Sequence, residues 1–221
     1  MRALFCAAIL ASFAAPGYSW TPTPLSPVTI VYRFHGASSD SMLHEMRDEV
    51  GRLMQPSLLQ PEWRKRADIT GSDSFANLIV VDFQGQCRTG LGASRPLDAL
   101  PADDQPLGKA HVVDGEVLPF VEIDCGRVQT LLHSTIWGRQ TQNSDPALGR
   151  ALGRVLAHEL YHVLAGTMLH ARTGIAKPSL SVNELVSSRL EFTADDIDRM
   201  KAPRERAPEV RMARRGPAFV Q

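Results

Sequence analysis

The sequence predicts an α+β domain: a small, twisted mixed sheet with an antiparallel edge strand, a backing helix, a second long helix and a short, mostly helical C-terminal part. Three observations predict it. Runs rich in β-branched and aromatic residues recur at "VTIVYRF", "FANLIVVDF" and "VLPFVEID", each flanked by Gly, Pro or Asp. Two longer stretches carry apolar residues at helical spacing behind a capping residue. The 221 residues, 43% hydrophobic and 22% charged, suit one domain with its own core rather than two.

The elements follow in order. Within "MRALFCAAILASFAAPGYSW", Arg2 precedes an apolar run from Ala3 to Ala15, then Pro16, Gly17 and Ser19. This is the pattern of a secretory signal over residues 1–19, and it predicts export. The run is too short to span a bilayer, so no membrane contact is expected of the mature form. Residues 20–27, "WTPTPLSP", read as a Pro-rich lead-in that does not pair regularly, and the domain is expected over 28–200.

Val28 to Phe34 reads as a strand, and Leu43, Met46, Val50 and Leu53 mark an amphipathic helix capped by Asp40 or Ser41. "EWRKR" is a weaker strand signal. Phe75 to Phe83 is a strong one, whose nearly unbroken apolar run predicts burial on both faces. Gly, Pro and Asp dominate from Gln84 to Lys109, a long loop around Cys87. "AHVVD" and "VLPFVEID" then flank Gly115 and Glu116 as two short strands, with Pro119 placing its strand at an edge or a bulge. A short helix is expected over 127–137.

The next helix has the clearest punctuation: Asp145 as cap, Pro146 at the first helical position and Gly166 just past the end. Two short helices beginning near Ser181 and Thr193 follow a turn region, and an Arg- and Pro-rich tail over 201–221 is expected to lack fixed structure.

Lys plus Arg and Asp plus Glu both number 24, so no net field steers the chain toward nucleic acid. If Cys6 leaves with the signal, Cys87 and Cys125 remain as a pair in an oxidising compartment. A disulfide between them is the expectation, and two buried thiols are the alternative.

Chemistry concentrates in "HELYH". His158 and His162 lie four apart, so on a helix both imidazoles project from one face and can bind one cation. Glu159 sits beside them, placed to take a proton from a water that the metal polarises and to return it to a leaving amine. A catalytic zinc requires a third protein ligand. His170, eight residues after His162 and beyond Gly166, is one candidate, and Glu184, twenty-two residues after His162, is the other. His35, His44, His111 and His133 show no ligand spacing, and Tyr161 is expected to pack away from the ligands.

The stretch "HELYHVLAGTMLH" resembles the metzincin zinc peptidases, whose pattern is H-E-x-x-H-x-x-G-x-x-H followed by a methionine-containing turn. The order is kept, with one residue added before Gly166 and one after it, and Ala176 in "HARTGIAKP" stands where the methionine is expected. The resemblance implies a zinc-dependent metalloendopeptidase acting on peptide or protein substrates. His158, His162 and His170 would be its ligands and Glu159 its general base and acid. The element order from Val28 to Ala165 is similar to that of metzincin catalytic domains, and "AHVVD" would be the edge strand that holds substrate. "NELVSS" resembles the gluzincin N-E-x-x-S-D segment, which would make Glu184 the third ligand, although Ser188 replaces the aspartate. A secreted zinc-binding interaction module without peptidase activity is the reading from another class.

Overall fold

The computed structural model describes residues 25–75, 77–89, 105–135, 144–187 and 189–202. The expected signal, most of the lead-in and the tail beyond residue 202 lie outside the described residues. Among the described residues no helix is long and apolar enough to cross a membrane.

Five strands form one mixed sheet in the order β2-β1-β3-β5-β4. β1 (Ser26–Phe34), β2 (Leu59–Lys65), β3 (Leu78–Gln84) and β5 (Glu116–Asp124) run parallel, and β4 (Gly108–Val113) pairs antiparallel with β5 at the edge. Register places Ile30 beside Ile79, Tyr32 beside Val81 and Phe83 beside Ile123, all buried on one face. Alternate residues face outward and form ion pairs: Arg33 Nη2 lies 2.5 Å from Asp82 Oδ2, and Lys109 Nζ lies 2.9 Å from Glu122 Oε2.

This alternation corrects the expectation that β3 is buried on both faces. Leu78 on its outer face is 36% exposed, because the helices that build the core lie against the inner face. β1 also begins earlier than expected, inside the Pro-rich lead-in. Pro27 is tolerated because Ser26 N–H already bonds toward β2, at Leu58 O, while pairing with β3 starts only at Thr29. Its missing donor therefore faces a side that has no ladder.

α1 (Asp40–Met54) is capped by Ser39, whose Oγ accepts from Met42 N at 3.2 Å, one residue before the expected cap. Pro119 sits within β5, between β3 and β4, where the β4–β5 register shifts, so it marks a bulge and not an edge. α2 (Cys125–Thr135) follows at once, and a Cys87–Cys125 disulfide ties its first residue to the loop after β3.

α3 (Ser144–Ala165) crosses under the sheet and ends at Gly166, whose φ of 60° is the left-handed conformation that closes helices. Asp145 does not cap it. The carboxylate lies inside the first turn and accepts from Thr89 N and Oγ1, at 2.6 Å each. α4 (Val182–Val186) and α5 (Ala194–Lys201) start at Ser181 and Thr193, each with a complete capping box.

Candidate metal centre

α3 is buried along most of its length, and near its C-terminal end it presents His158, Glu159 and His162 to a cavity of about 830 Å³. The chain turns at Gly166 and returns His170 to the same place. The three imidazoles form a nearly equilateral triangle, with ring centroids 4.8, 4.8 and 5.2 Å apart. One ring nitrogen from each lies within 4.8 Å of the others, the one such metal-capable group of His, Cys, Asp or Glu among the described residues.

Two backbone carbonyls define how the rings are aimed. His158 Nδ1 donates to Ile175 O at 2.8 Å, and His162 Nδ1 donates to Thr167 O at 2.7 Å. A carbonyl oxygen only accepts, so each Nδ1 carries its ring's proton and each Nε2 is left with a lone pair. Those two Nε2 atoms are 3.1 Å apart. Two lone pairs at that distance repel unless a cation lies between them. Two nitrogens bound tetrahedrally to zinc at ~2.0–2.1 Å would stand roughly 3.3 Å apart, so the residues present fit that ion. Thr167 and Ile175 orient the rings as outer-shell partners do at zinc sites.

Burial lowers the proton affinity of the pair. It drives His158 down to about 4, with further lowering from the neighbouring His162 and His170, and it lowers His162 as well. His158 is therefore neutral, the form that binds metal, well below neutral pH, and burial favours the neutral form of His162 in the same direction. Glu159 moves the other way: burial raises its carboxyl to about 7, against a backbone hydrogen bond from Ala110. That bond joins the edge strand β4 to the acid. Gly108 permits the approach, since a Cβ there would stand 2.9 Å from Val155 Cγ1 and 3.0 Å from Glu159 Cγ.

The structure brings His158, His162 and His170 together and leaves Glu184 elsewhere. The Glu184 carboxylate accepts from Lys177 Nζ at 2.6 Å and from Ser181 N at 2.9 Å, as the capping acid of α4. The geometry therefore gives no support to Glu184 as a third ligand. His44 pairs with Asp48, and His111 turns to Glu122 on the outer face, away from the cavity. Tyr161 is buried beside Phe192. The His133 side chain lies outside the described residues. Ala176 is fully buried in the turn beneath the triangle, where Ala171 N bonds its carbonyl at 2.8 Å. That turn supports His158 through the Ile175 backbone and without a methionine. Sequence reasoning missed Thr167, Ile175 and Gly108, because two act through main-chain atoms and the third through the absence of a side chain.

No protein-family model matches the chain, and no curated protein matches it. Solved structures do. The sheet order, the crossing helix and the return segment define the fold class, a zincin-like α+β fold. Within that class, the chain is similar to a zinc-dependent peptidase from Methanocorpusculum labreanum, with TM-score 0.50 and 10% identity over 78% of this chain and 99% of that one. It also matches an archaemetzincin from Methanopyrus kandleri, with TM-score 0.47 and 12% identity over 80% of this chain and 93% of that one. Identities this low define the fold alone.

Proposed function

We propose that the protein is an exported zinc-dependent metalloendopeptidase, with His158, His162 and His170 as ligands and Glu159 as general base and acid. The observation that carries this reading is the facing pair of Nε2 lone pairs, 3.1 Å apart and fixed by two carbonyls, beside a buried carboxylate. A zinc ion held there would supply a Lewis acid for the scissile carbonyl and would lower the pKa of water toward ~7.

The chain's own residues do the rest. Glu159, whose proton affinity burial raises to about 7, accepts the proton of the attacking water and passes it to the departing amine. A peptide is held extended along β4, the edge strand of the described sheet, which lines the cavity at Gly108, Lys109 and Ala110. Export is supported by the apolar run from Ala3 to Ala15 and by the Cys87–Cys125 disulfide, a bond that persists in oxidising compartments.

The test is chelator-sensitive cleavage of a general protein substrate, compared between the natural chain and Glu159→Gln. Expected are about one zinc per chain in both proteins and cleavage only in the first, with a loss of at least ~100-fold in the variant. Zinc retained with no cleavage by the natural chain would replace the enzyme with a zinc-binding interaction module.

A further inference from the structure

The cavity beside the histidines contains a cation that has no counter-charge among the described residues. Three basic residues other than histidine line it: Lys109, Lys177 and Arg127. Lys109 pairs with Glu122 at 2.9 Å and Lys177 with Glu184 at 2.6 Å. Arg127, in the first turn of α2, has Nε and Nη1 buried with no hydrogen-bond partner. The nearby Asp124 carboxylate accepts from the Arg127 backbone N–H at 3.0 Å and caps the start of α2, so it does not serve the guanidinium.

Two buried guanidinium nitrogens with unmade hydrogen bonds cost free energy, and a positive charge so placed is retained where an anion balances it. The surrounding wall is mainly apolar, with Val117 and Leu131 among its members. In such surroundings a guanidinium favours an anion, and a carboxylate is the anion that a peptide offers. Glu159, the one acidic residue lining the cavity among those described, has the catalytic task and a bond from Ala110.

We infer that Arg127 is a specificity-determining residue that binds a carboxylate of the peptide substrate within the same cavity as the histidine triangle. The inference rests on the peptidase reading above. The carboxylate has two possible sources, an acidic side chain near the scissile bond or the terminal carboxylate of a short peptide. Either brings one negative charge and two acceptor oxygens to the guanidinium, whose Nη2 is the nitrogen not buried without a partner.

The test uses the zinc-loaded full chain and peptide libraries in matched pairs. One arm compares Glu with Gln at each position flanking the cleaved bond, and the other compares free-acid with amidated C-termini. A preference on the order of tenfold to a hundredfold in kcat/KM for the carboxylate member of one arm is expected, and that arm identifies the source. Arg127→Gln brings the ratio close to one, and Arg127→Lys recovers part of it.

Binding of the same pairs to zinc-loaded Glu159→Gln, followed by fluorescence anisotropy, gives a readout that does not need turnover. There the carboxylate peptide binds more tightly by a similar factor. Ratios near one in both arms and in binding overturn the inference while leaving the peptidase reading intact. A preference that survives Arg127→Gln overturns it as well. Absence of cleavage combined with a clear carboxylate preference in binding would sink the peptidase reading and keep the anion site.

Discussion

At the level of single residues, the two candidate third ligands are separated by what each side chain already touches. His170 is exposed and faces its two partners, whereas Glu184 is held by Lys177 and Ser181. Those contacts lower the Glu184 carboxyl to about 2, led by the bond from Lys177, against an ordinary value of 4.5. A depressed carboxyl stabilises the fold fully above pH ~4.5, and that contribution is lost as pH falls toward ~2. Glu184→Gln should therefore flatten the fall in melting temperature between about pH 5 and pH 3 while zinc content stays at the natural level. Loss of zinc in this variant, measured by metal analysis, would return Glu184 to the ligand set.

Among the elements, α1 and α3 approach closely enough that two glycines form part of their interface. A Cβ on Gly149 would stand 2.4 Å from Met42 O, and one on Gly153 would stand 2.9 Å from Met46 O. The same helices are joined by Arg154, 1% exposed, whose Nε donates to Glu49 Oε1 at 2.6 Å and whose Nη1 donates to Glu184 O at 2.5 Å. That guanidinium thus fastens α4 to the helix bearing the histidines. Gly51, also helical, differs: a Cβ added there would meet nothing within 4 Å. Opposite signs follow for one chemical change. Gly51→Ala should raise stability by about 0.5–1 kcal/mol through helix propensity, and Gly149→Ala should lower it by about 1–3 kcal/mol because backbone cannot yield to the methyl group. Urea denaturation of the two variants measures both, and equal signs would mean that the helices are not packed through Gly149.

Across the whole molecule, the Cys87–Cys125 disulfide joins the loop after β3 to the start of α2 over a separation of 38 residues. It fastens one wall of the cavity, the helix bearing Arg127, to the central strand of the sheet. Closing a loop of that length stabilises by roughly 4 kcal/mol on the chain-entropy account. Reduction, or a Cys87→Ala/Cys125→Ala double change, should lower the unfolding midpoint accordingly, with zinc still bound by the folded fraction. A midpoint unmoved by reductant in denaturation curves would show that the link contributes nothing to stability.

Much of this protein is legible in its sequence. Periodicity and caps place the sheet strands, α1, α3 and the starts of α4 and α5, because those signals act over a few neighbouring residues. The misplaced features are those a neighbour decides. Asp145 is claimed by Thr89, and among the described residues the outer face of β3 carries no helix. Pro27 is a strand residue because its own side of the sheet is free. The pair of imidazoles, the adjacent acid and the helix that aligns them follow from the chain alone, since the four-residue step in "HELYH" depends only on helix geometry. Folding in three dimensions was needed to close the triangle with His170, to aim its other two rings through the carbonyls of Thr167 and Ile175, and to turn Arg127 to the same cavity. Those relations join residues from separate elements through space, and no spacing along the chain encodes them.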